Sequence, residues 1–244
     1  PVRLNYQLST INYVLNLIDT PGHIDFSYET SRALACCEGA VLLVDVKQGI
    51  QAQTLFNLEQ AQKLGLKVIG VINKIDLATQ DQINDAKKEL SVVAGLLESE
   101  ILEISGKTGK NIEKLLEEIV KNFSIPKIED GNQLKALIFD SKYDSFSGVV
   151  AFVKIFAGVA KRGDKIRFFA GDCQSDIKEV GYFIPGLFPT DTLKAGDIGY
   201  IKTGIKEPAK VKVGDTIFGQ NEPYRLSDSS FKPLTEYKEP QPVL

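Results

Sequence analysis

Three short polar motifs each follow an apolar run of the kind that forms a buried strand. Asp19-Thr20-Pro21-Gly22-His23 follows "YVLNLI", Asn73-Lys74-Ile75-Asp76 follows "KVIGVI", and Ser105-Gly106-Lys107 follows "EILEI". Ligands of open α/β sheets bind beyond the carboxyl ends of the strands. The sequence therefore predicts one binding site that three separate loops share.

The second and third motifs have side chains that suit a guanine base. Asp76 can accept hydrogen bonds from both the N1–H and the 2-amino group of guanine, and a site built for such donors rejects a base lacking them by ~10⁴-fold. Asn73 can bond the other edge of the base and tie neighbouring loops together. The aliphatic stem of Lys74 can lie along one purine face and Lys107 can cover the other. We expect the backbone N–H of Gly106 to reach the guanine O6.

The first motif suits the phosphate end of the same nucleotide. Asp19 can hold Mg²⁺ through a water, because this ion keeps several of its waters. Gly22 can bring its N–H against a γ-phosphate oxygen, since it has no side chain. His23, the only histidine of the chain, would then position a water for in-line attack and act as the catalytic residue. The predicted ligands are GTP or GDP and Mg²⁺. The predicted nucleotide-contacting residues are Asp19, Thr20, Pro21, Gly22, Asn73, Lys74, Ile75, Asp76, Ser105, Gly106 and Lys107.

Each motif also has a plainer explanation when it is taken alone. Asp-Pro-Gly is a common turn, Asn-Lys-x-Asp can cap a helix, and Ser-Gly-Lys can simply join a strand to a helix. A single histidine is more often structural than catalytic. The order of the three motifs, each at the end of a strand-like run, favours the shared site.

The segments that would position these motifs alternate between strand and helix. Strand patterns cover residues 2–8, 13–19, 40–46 and 67–73. Residues 25–37 and 51–64 have the length of helices, and residues 111–123 place their apolar side chains on one helical stripe. The pattern predicts an α/β doubly wound sheet over residues 1–124.

The pattern of apolar and polar residues changes after residue 124. We predict a linker at 125–133, an antiparallel β-barrel at 134–226 built from short strands with Gly-Asp and Pro-Gly turns, and a proline-rich connector at 227–244.

Composition limits the classes of function. The formal net charge is −3 and the pI is near 5.4. These values exclude a protein whose overall positive charge binds nucleic acid nonspecifically. The three cysteines lack the spacing of a zinc site or a disulfide framework and indicate reduced thiols in a cytoplasmic protein. No apolar run approaches the roughly 20 residues of a membrane-spanning helix.

The three motifs resemble the third, fourth and fifth guanine-binding motifs of GTPases, and a histidine after Asp-Thr-Pro-Gly is the pattern of translational GTPases. The stretch "DTPGHIDFSYETSRALACCEGAVLLVDVKQGIQAQT" resembles the LepA, or elongation factor 4, family more specifically. The runs "GVVAFVKIFAG", "KRGDKI" and "KVGDTIF" are similar to domain II of that family.

This resemblance implies a ribosome-dependent GTPase that hydrolyses GTP to GDP and phosphate during elongation. It implies that ribosomal RNA settles His23 into its active pose, and that Asp19 and Gly22 act at the Mg²⁺ and the γ-phosphate. The implied partners are the ribosome and, through further domains, tRNA. The implied protein is a cytoplasmic monomer, with peripheral association at the inner membrane face left open.

The sequence also departs from the family pattern. It has no methionine, no G-x-x-x-x-G-K-[ST] loop and no switch I threonine, so we expect a fragment that binds nucleotide poorly by itself. Gly106 stands where the family often has alanine.

Two alternatives stay open. The chain could be a non-catalytic ribosome-docking module that uses the basic turn at residues 161–165, or it could come from another translational GTPase such as BipA or elongation factor G.

Overall fold

The computed structural model of the chain describes residues 1–20, 27–220 and 232–234. The chain divides into two compact units. The α/β unit comprises Tyr6–Tyr13 and Pro21–Ile125, and the β unit comprises Pro1–Asn5, Val14–Thr20 and Pro126–Leu244.

A two-stranded hairpin opens the chain, and its residues are divided between the two units. β1 (Val2–Leu8) coincides with the predicted strand. β2 (Ile11–Leu17) begins two residues earlier than predicted, because the turn needs only Ser9 and Thr10. Ser9 adopts a left-handed conformation with φ 55°, which allows this short connection.

The α/β unit contains a parallel sheet whose strand order is β3-β4-β5. β3 is Gly39–Asp45, β4 is Lys67–Asn73 and β5 is Leu102–Glu103. β4 has neighbours on both sides and buries its four residues 69–72, as a central parallel strand should. The helices of this part of the chain are α1 (Ser27–Ala35), α2 (Ala52–Lys63), α3 (Gln80–Ala94) and α4 (Ile112–Asn122).

Helix α3 was not predicted from the sequence. Thr79 caps its start by accepting a hydrogen bond from the Gln82 N–H, and the Gln82 side chain accepts one from the Thr79 N–H in return. Gly95, with φ 67°, ends the helix in the left-handed conformation. The Thr-x-x-Gln and Gly signals were therefore present in the sequence, where they could have identified the helix.

The core of the α/β unit lies between the sheet and its helices. Its buried residues are Leu42, Val44, Val46, Leu58, Ile72, Ile75, Ile83, Ala86, Leu90 and Ile101.

Among the described residues from 126 onward, the β unit contains ten antiparallel strands. They are β6 (Lys135–Asp144), β7 (Gly148–Ala157), β8 (Val159–Lys161), β9 (Lys165–Phe168), β10 (Cys173–Asp176), β11 (Glu179–Phe183), β12 (Leu187–Thr190), β13 (Thr192–Lys194), β14 (Ile198–Lys202) and β15 (Thr216–Gly219). Eight of them follow the order β10-β9-β15-β6-β7-β14-β11-β12, while β13 pairs with β8. The predicted fold class, α/β followed by antiparallel β, is confirmed. In the described part of the chain, however, β10 and β12 do not pair, so the ladder is open.

A buried carboxylate ties two loops of the β unit together. Asp215 is 1% exposed and accepts hydrogen bonds from the backbone N–H groups of Ala170, Gly171 and Thr216 at 2.7, 2.9 and 2.7 Å. Burial raises the pKa of the Asp215 carboxyl, and the three N–H donors oppose that rise. The "KVGDTIF" run thus contributes a loop anchor as well as a strand.

No helix in the described ranges is long and apolar enough to cross a membrane. Cys36 is buried, whereas Cys37 and Cys173 are only partly buried.

Gly39, the first residue of β3, gives a test of the packing in the α/β unit. A methyl group at Gly39 would lie 2.3 Å from Cδ1 of the Phe123 ring. We expect Gly39→Ala to lower the free energy of unfolding by about 1–3 kcal/mol, because the ring must move out of its packed position. Urea unfolding followed by circular dichroism would measure the change.

Gly106→Ala is the matched control for this substitution. A methyl group at Gly106 would lie 3.7 Å from Asn73 Oδ1, which is ordinary contact. Equal unfolding midpoints for the two alanine variants would contradict the predicted role of the Gly39–Phe123 contact.

Candidate functional site

The parallel register brings the second and third motifs to one edge of the sheet. Asp45 at the end of β3 pairs with Asn73 at the end of β4, and Ile72 of β4 pairs with Glu103 of β5. Beyond β5, the Ile104 N–H donates to Ile72 O at 2.8 Å and the Ile75 N–H donates to Ile104 O at 3.3 Å. The loops that follow β4 and β5 therefore lie side by side. We call residues 73–77 and 104–108, together with Asp45, the strand-end site.

Asn73 joins the two loops through its side chain. Its Oδ1 accepts the N–H of Lys74 at 2.8 Å and the N–H of Gly106 at 3.0 Å. Because Oδ1 serves these two donors, the hydrogen-bonding group that Asn73 can offer a ligand is its Nδ2 amide. The Gly106 N–H, which we expected to reach guanine O6, donates here to Asn73. A contact to O6 from the same N–H would have to share it as a three-centre bond.

A second side-chain bond fixes the carboxylate of Asp76. Asp76 is exposed on the 3₁₀ turn Ile75–Leu77, and its Oδ1 accepts the Ser105 hydroxyl at 2.6 Å. Ser105 is fully buried, and its Oγ also accepts the Thr108 N–H at 3.1 Å. The buried hydroxyl thus orients the exposed carboxylate, leaving Asp76 Oδ2 and the other lone pair of Oδ1 for donors on a ligand.

Ile75 and Lys107 differ in solvent exposure. The side chain of Ile75 is buried in the core of the α/β unit, so only its backbone contributes to the site. Lys107 is exposed on the loop after β5.

Lys74 is held at both its backbone and its tip. Its backbone is left-handed, with φ 64° and ψ 33°. Its Nζ lies 2.6 Å from Asp45 Oδ2, and Asp45 Oδ1 accepts the Lys47 N–H at 2.8 Å. The hydrogen bond from Lys74, supported by the one from Lys47, holds the pKa of the Asp45 carboxyl below its ordinary value.

Asp45 was not predicted from the sequence as a member of the site. The signal that could have found it is the same one that identified the three motifs, namely an acid that ends the apolar run "AVLLVD".

The first motif is described only at its beginning. Asp19 is exposed and Thr20 is partly buried just after β2. Pro21, Gly22 and His23 lie outside the described residues, so the convergence of this motif with the other two stays a prediction. The described ranges contain no group of three His, Cys, Asp or Glu side chains that could hold a metal ion. One carboxylate at Asp19 is still compatible with Mg²⁺, which usually takes one or two carboxylates together with phosphate oxygens and waters.

The arrangement at the strand-end site suits a flat, polar ring. Asp76 offers acceptors, Asn73 offers an amide donor, and the stems of Lys74 and Lys107 offer apolar surface. A ligand with two adjacent N–H donors on one edge and an acceptor on another would satisfy these groups, and guanine has this pattern.

Two family models match the chain. The model described as the elongation factor Tu GTP binding domain matches residues 4–124, and the model described as elongation factor Tu domain 2 matches residues 148–218. The two matches cover the α/β and the β parts of the chain in that order.

Curated relatives and a solved structure extend these matches. The chain is 47% identical over 224 residues to elongation factor 4 of Thermotoga maritima, covering 91% of this chain and 36% of the relative. It is 46% identical over 244 residues to elongation factor 4 of Clostridioides difficile, covering 100% of this chain and 39% of the relative. The chain thus spans less than half the length of these relatives.

The apo structure of translation elongation factor SelB from Methanococcus maripaludis has a similar fold. Its TM-score is 0.69 at 21% identity, and the match covers 89% of this chain and 48% of that chain.

The Asp45–Lys74 ion pair leads to a prediction about titration. We expect the pKa of the Asp45 carboxyl to lie below its ordinary value and to rise toward that value in Lys74→Ala, because the largest cause of the lowering is then removed. The stabilisation from this pair is present above the unfolded pKa of about 3.9 and is lost as the pH falls through the lower folded value. Nuclear magnetic resonance of the side-chain carboxyl carbon would measure both values.

Asp144 is the internal control for that titration. Hydrogen bonds from the Ser147 backbone and hydroxyl lower its pKa without any contribution from Lys74. A shift of Asp144 equal to that of Asp45 in Lys74→Ala would refute the assignment.

Proposed function

Because the chain belongs to the elongation factor 4 family of translational GTPases, we propose that the whole protein hydrolyses GTP to GDP and phosphate on the ribosome during elongation. The likeness to elongation factor 4 supports the reaction and the ribosome, and the observation that carries the guanine site is the joining of the loops after β4 and β5, through Asn73 to Gly106 and through Ser105 to Asp76. These two bonds aim an exposed carboxylate and a side-chain amide at the same edge of the sheet.

At the base, Asp76 accepts the guanine N1–H and 2-amino hydrogen atoms, while the Asn73 amide donates to the other edge. Lys74 and Lys107 lie along the two faces. Adenine is rejected because it would leave the Asp76 carboxylate without the two donors that satisfy it. Ser105 and Ile75 act behind this surface and hold its shape.

At the phosphates, Asp19 is the ligand that the chain offers to Mg²⁺, and Thr20 and Pro21 belong to the same nucleotide-contacting motif. When bound, the ion would neutralise negative charge on the phosphate oxygens. Gly22 donates its N–H to the γ-phosphate, and His23 orients the attacking water. Ribosomal RNA holds His23 in the conformation that orients the water, so hydrolysis depends on the ribosome.

The partners that we propose are the ribosome and, through other domains of the whole protein, tRNA. The whole protein works as a monomer in the cytoplasm. Residues 148–218 match elongation factor Tu domain 2, and this match supports a role of the β unit in translation.

The alternative of a nucleotide-free docking module gains no support from the basic turn at residues 161–165. This turn connects β8 to β9, and Asp164 Oδ2 accepts the Lys161 N–H at 3.1 Å. Lys161, Arg162 and Lys165 are exposed. An exposed turn that is closed by its own aspartate has an ordinary structural explanation that needs no partner.

Asp76→Asn tests the base contacts. We expect it to weaken GDP binding by about 10²-fold, because one of the two charged acceptor oxygens becomes an NH2 group, which donates where the base also donates. Titration calorimetry should use a longer chain that includes a phosphate-binding loop, with GDP and ADP as ligands. Asp81→Asn, which changes an exposed carboxylate on helix α3, is the control. Unchanged GDP affinity in Asp76→Asn would remove the argument for a guanine site.

His23→Ala tests the catalytic step in the same longer chain. We expect nucleotide affinity to stay within about twofold and ribosome-stimulated hydrolysis to fall by at least about 10²-fold, as for a group that acts only in the transition state. Phosphate release with and without ribosomes, beside GDP titrations, would measure the two effects. Parallel losses in affinity and rate would mean that His23 has a structural role.

A further inference from the structure

Asp45 is placed to control the direction of Lys74. It is the last residue of β3, its side chain is 17% exposed, and its Oδ2 lies 2.6 Å from Lys74 Nζ. The side chain of Lys74 is 50% exposed, so one end of the ion pair is anchored in the fold while the other borders the solvent.

Three attachments hold Lys74 in its left-handed conformation. Its N–H donates to Asn73 Oδ1 at 2.8 Å, its carbonyl accepts the Leu77 N–H at 2.9 Å, and its Nζ is bonded to Asp45. The first two fix the backbone and the third fixes the tip. A four-carbon stem that is fixed at both ends has lost most of its rotamer freedom before any ligand arrives.

The loop on which Asp45 lies is itself well ordered. Asp45 Oδ1 accepts the Lys47 N–H, and the Asp45 carbonyl accepts the N–H groups of Gln48 and Gly49 at 3.1 and 2.9 Å. The Val46 N–H donates to Asn73 O at 3.1 Å, which joins this loop to the end of β4. The carboxylate therefore has a fixed position from which to hold Lys74.

We propose that Asp45 is a positioning residue for nucleotide binding: it holds the Lys74 ammonium group at the edge of the sheet so that the aliphatic stem forms one face of the base site. This inference rests on the proposed guanine site and assigns a role to a residue outside the three motifs. Because the stem meets the flat face of the ring, its contribution does not depend on the groups at the edge of the base. Asp76, in contrast, recognises that edge through hydrogen bonds.

Asp45→Asn separates these two contributions. Asparagine keeps an Oδ1 acceptor for the Lys47 N–H, but it replaces the charged Oδ2 that holds Lys74 with an uncharged NH2 group that cannot accept a hydrogen bond. With the longer chain described above, titration calorimetry would compare GDP with inosine diphosphate, whose base lacks the 2-amino group. We expect Asp45→Asn to weaken the binding of both nucleotides by the same factor, about two- to fivefold, from the loss of a partly exposed ion pair. Asp76→Asn should instead change the ratio of the two affinities.

Glu59→Gln is the matched control. Glu59 pairs with Lys63 on helix α2 at the same 2.6 Å, and both side chains are exposed. The substitution makes the same charge change away from the site, so we expect both affinities to stay within about 1.5-fold, as for most exposed pairs.

Two further variants test whether Asp45 acts through Lys74. Lys74→Met keeps an unbranched stem but removes the charge, so adding Asp45→Asn to it should cause no further loss. Asp45→Glu keeps the charge and should restore at least part of the affinity lost in Asp45→Asn. A merely structural defect in the loop would not be repaired by a longer side chain.

The outcomes distinguish this inference from the proposed function. Unchanged affinities in Asp45→Asn, or a further loss when it is added to Lys74→Met, would overturn the role of Asp45 while leaving the guanine site in place. Failure of the unsubstituted longer chain to prefer GDP over ADP would overturn the guanine site and the inference with it.

Discussion

The strand-end site depends on the parallel register of β4 with its two neighbours. β4 is buried along its centre, so its position is fixed by packing on both faces and by hydrogen bonds on both edges. A shift of one residue would turn its core side chains to the wrong face. The same register that fills the core therefore also decides that Asp45, Asn73 and the loop after β5 end side by side.

Side chains rather than backbone complete the connection between the loops. Asn73 reaches a backbone N–H that is 33 residues away, and Ser105 reaches a carboxylate that is 29 residues away. The two bonds use Asn73 Oδ1 and Asp76 Oδ1, which leaves the Asn73 Nδ2 amide and Asp76 Oδ2 for a ligand. The ion pair between Lys74 and Asp45 likewise joins the loop after β4 to the end of a neighbouring strand. A site assembled in this way is largely ordered before a ligand arrives, which lowers the entropy lost on binding.

Much of the fold was predictable because its signals are local. The strands at Val2–Leu8 and Lys67–Asn73 match their predicted bounds, since alternation marks a half-buried strand and a short Val- and Ile-rich run marks a fully buried one. Helix α3 was missed although Thr79, Gln82 and Gly95 mark its ends. Its apolar stripe, with Ile83, Ala86 and Leu90 buried among polar residues, is weak. Tertiary packing of that stripe, rather than a strong helical pattern, stabilises the helix.

The sequence by itself determined the two kinds of unit, the order of the elements and the polar residues that follow the strands, because periodicity and residue type are properties of neighbours along the chain. Only the tertiary structure decided which of those polar groups point outward. It showed that Ser105 is buried beside Asp76, that the Gly106 N–H is bonded to Asn73, and that Asp45 holds Lys74. The physical reason is that each of these bonds joins residues far apart in sequence, so the partner of each group exists only once the parallel strands have aligned.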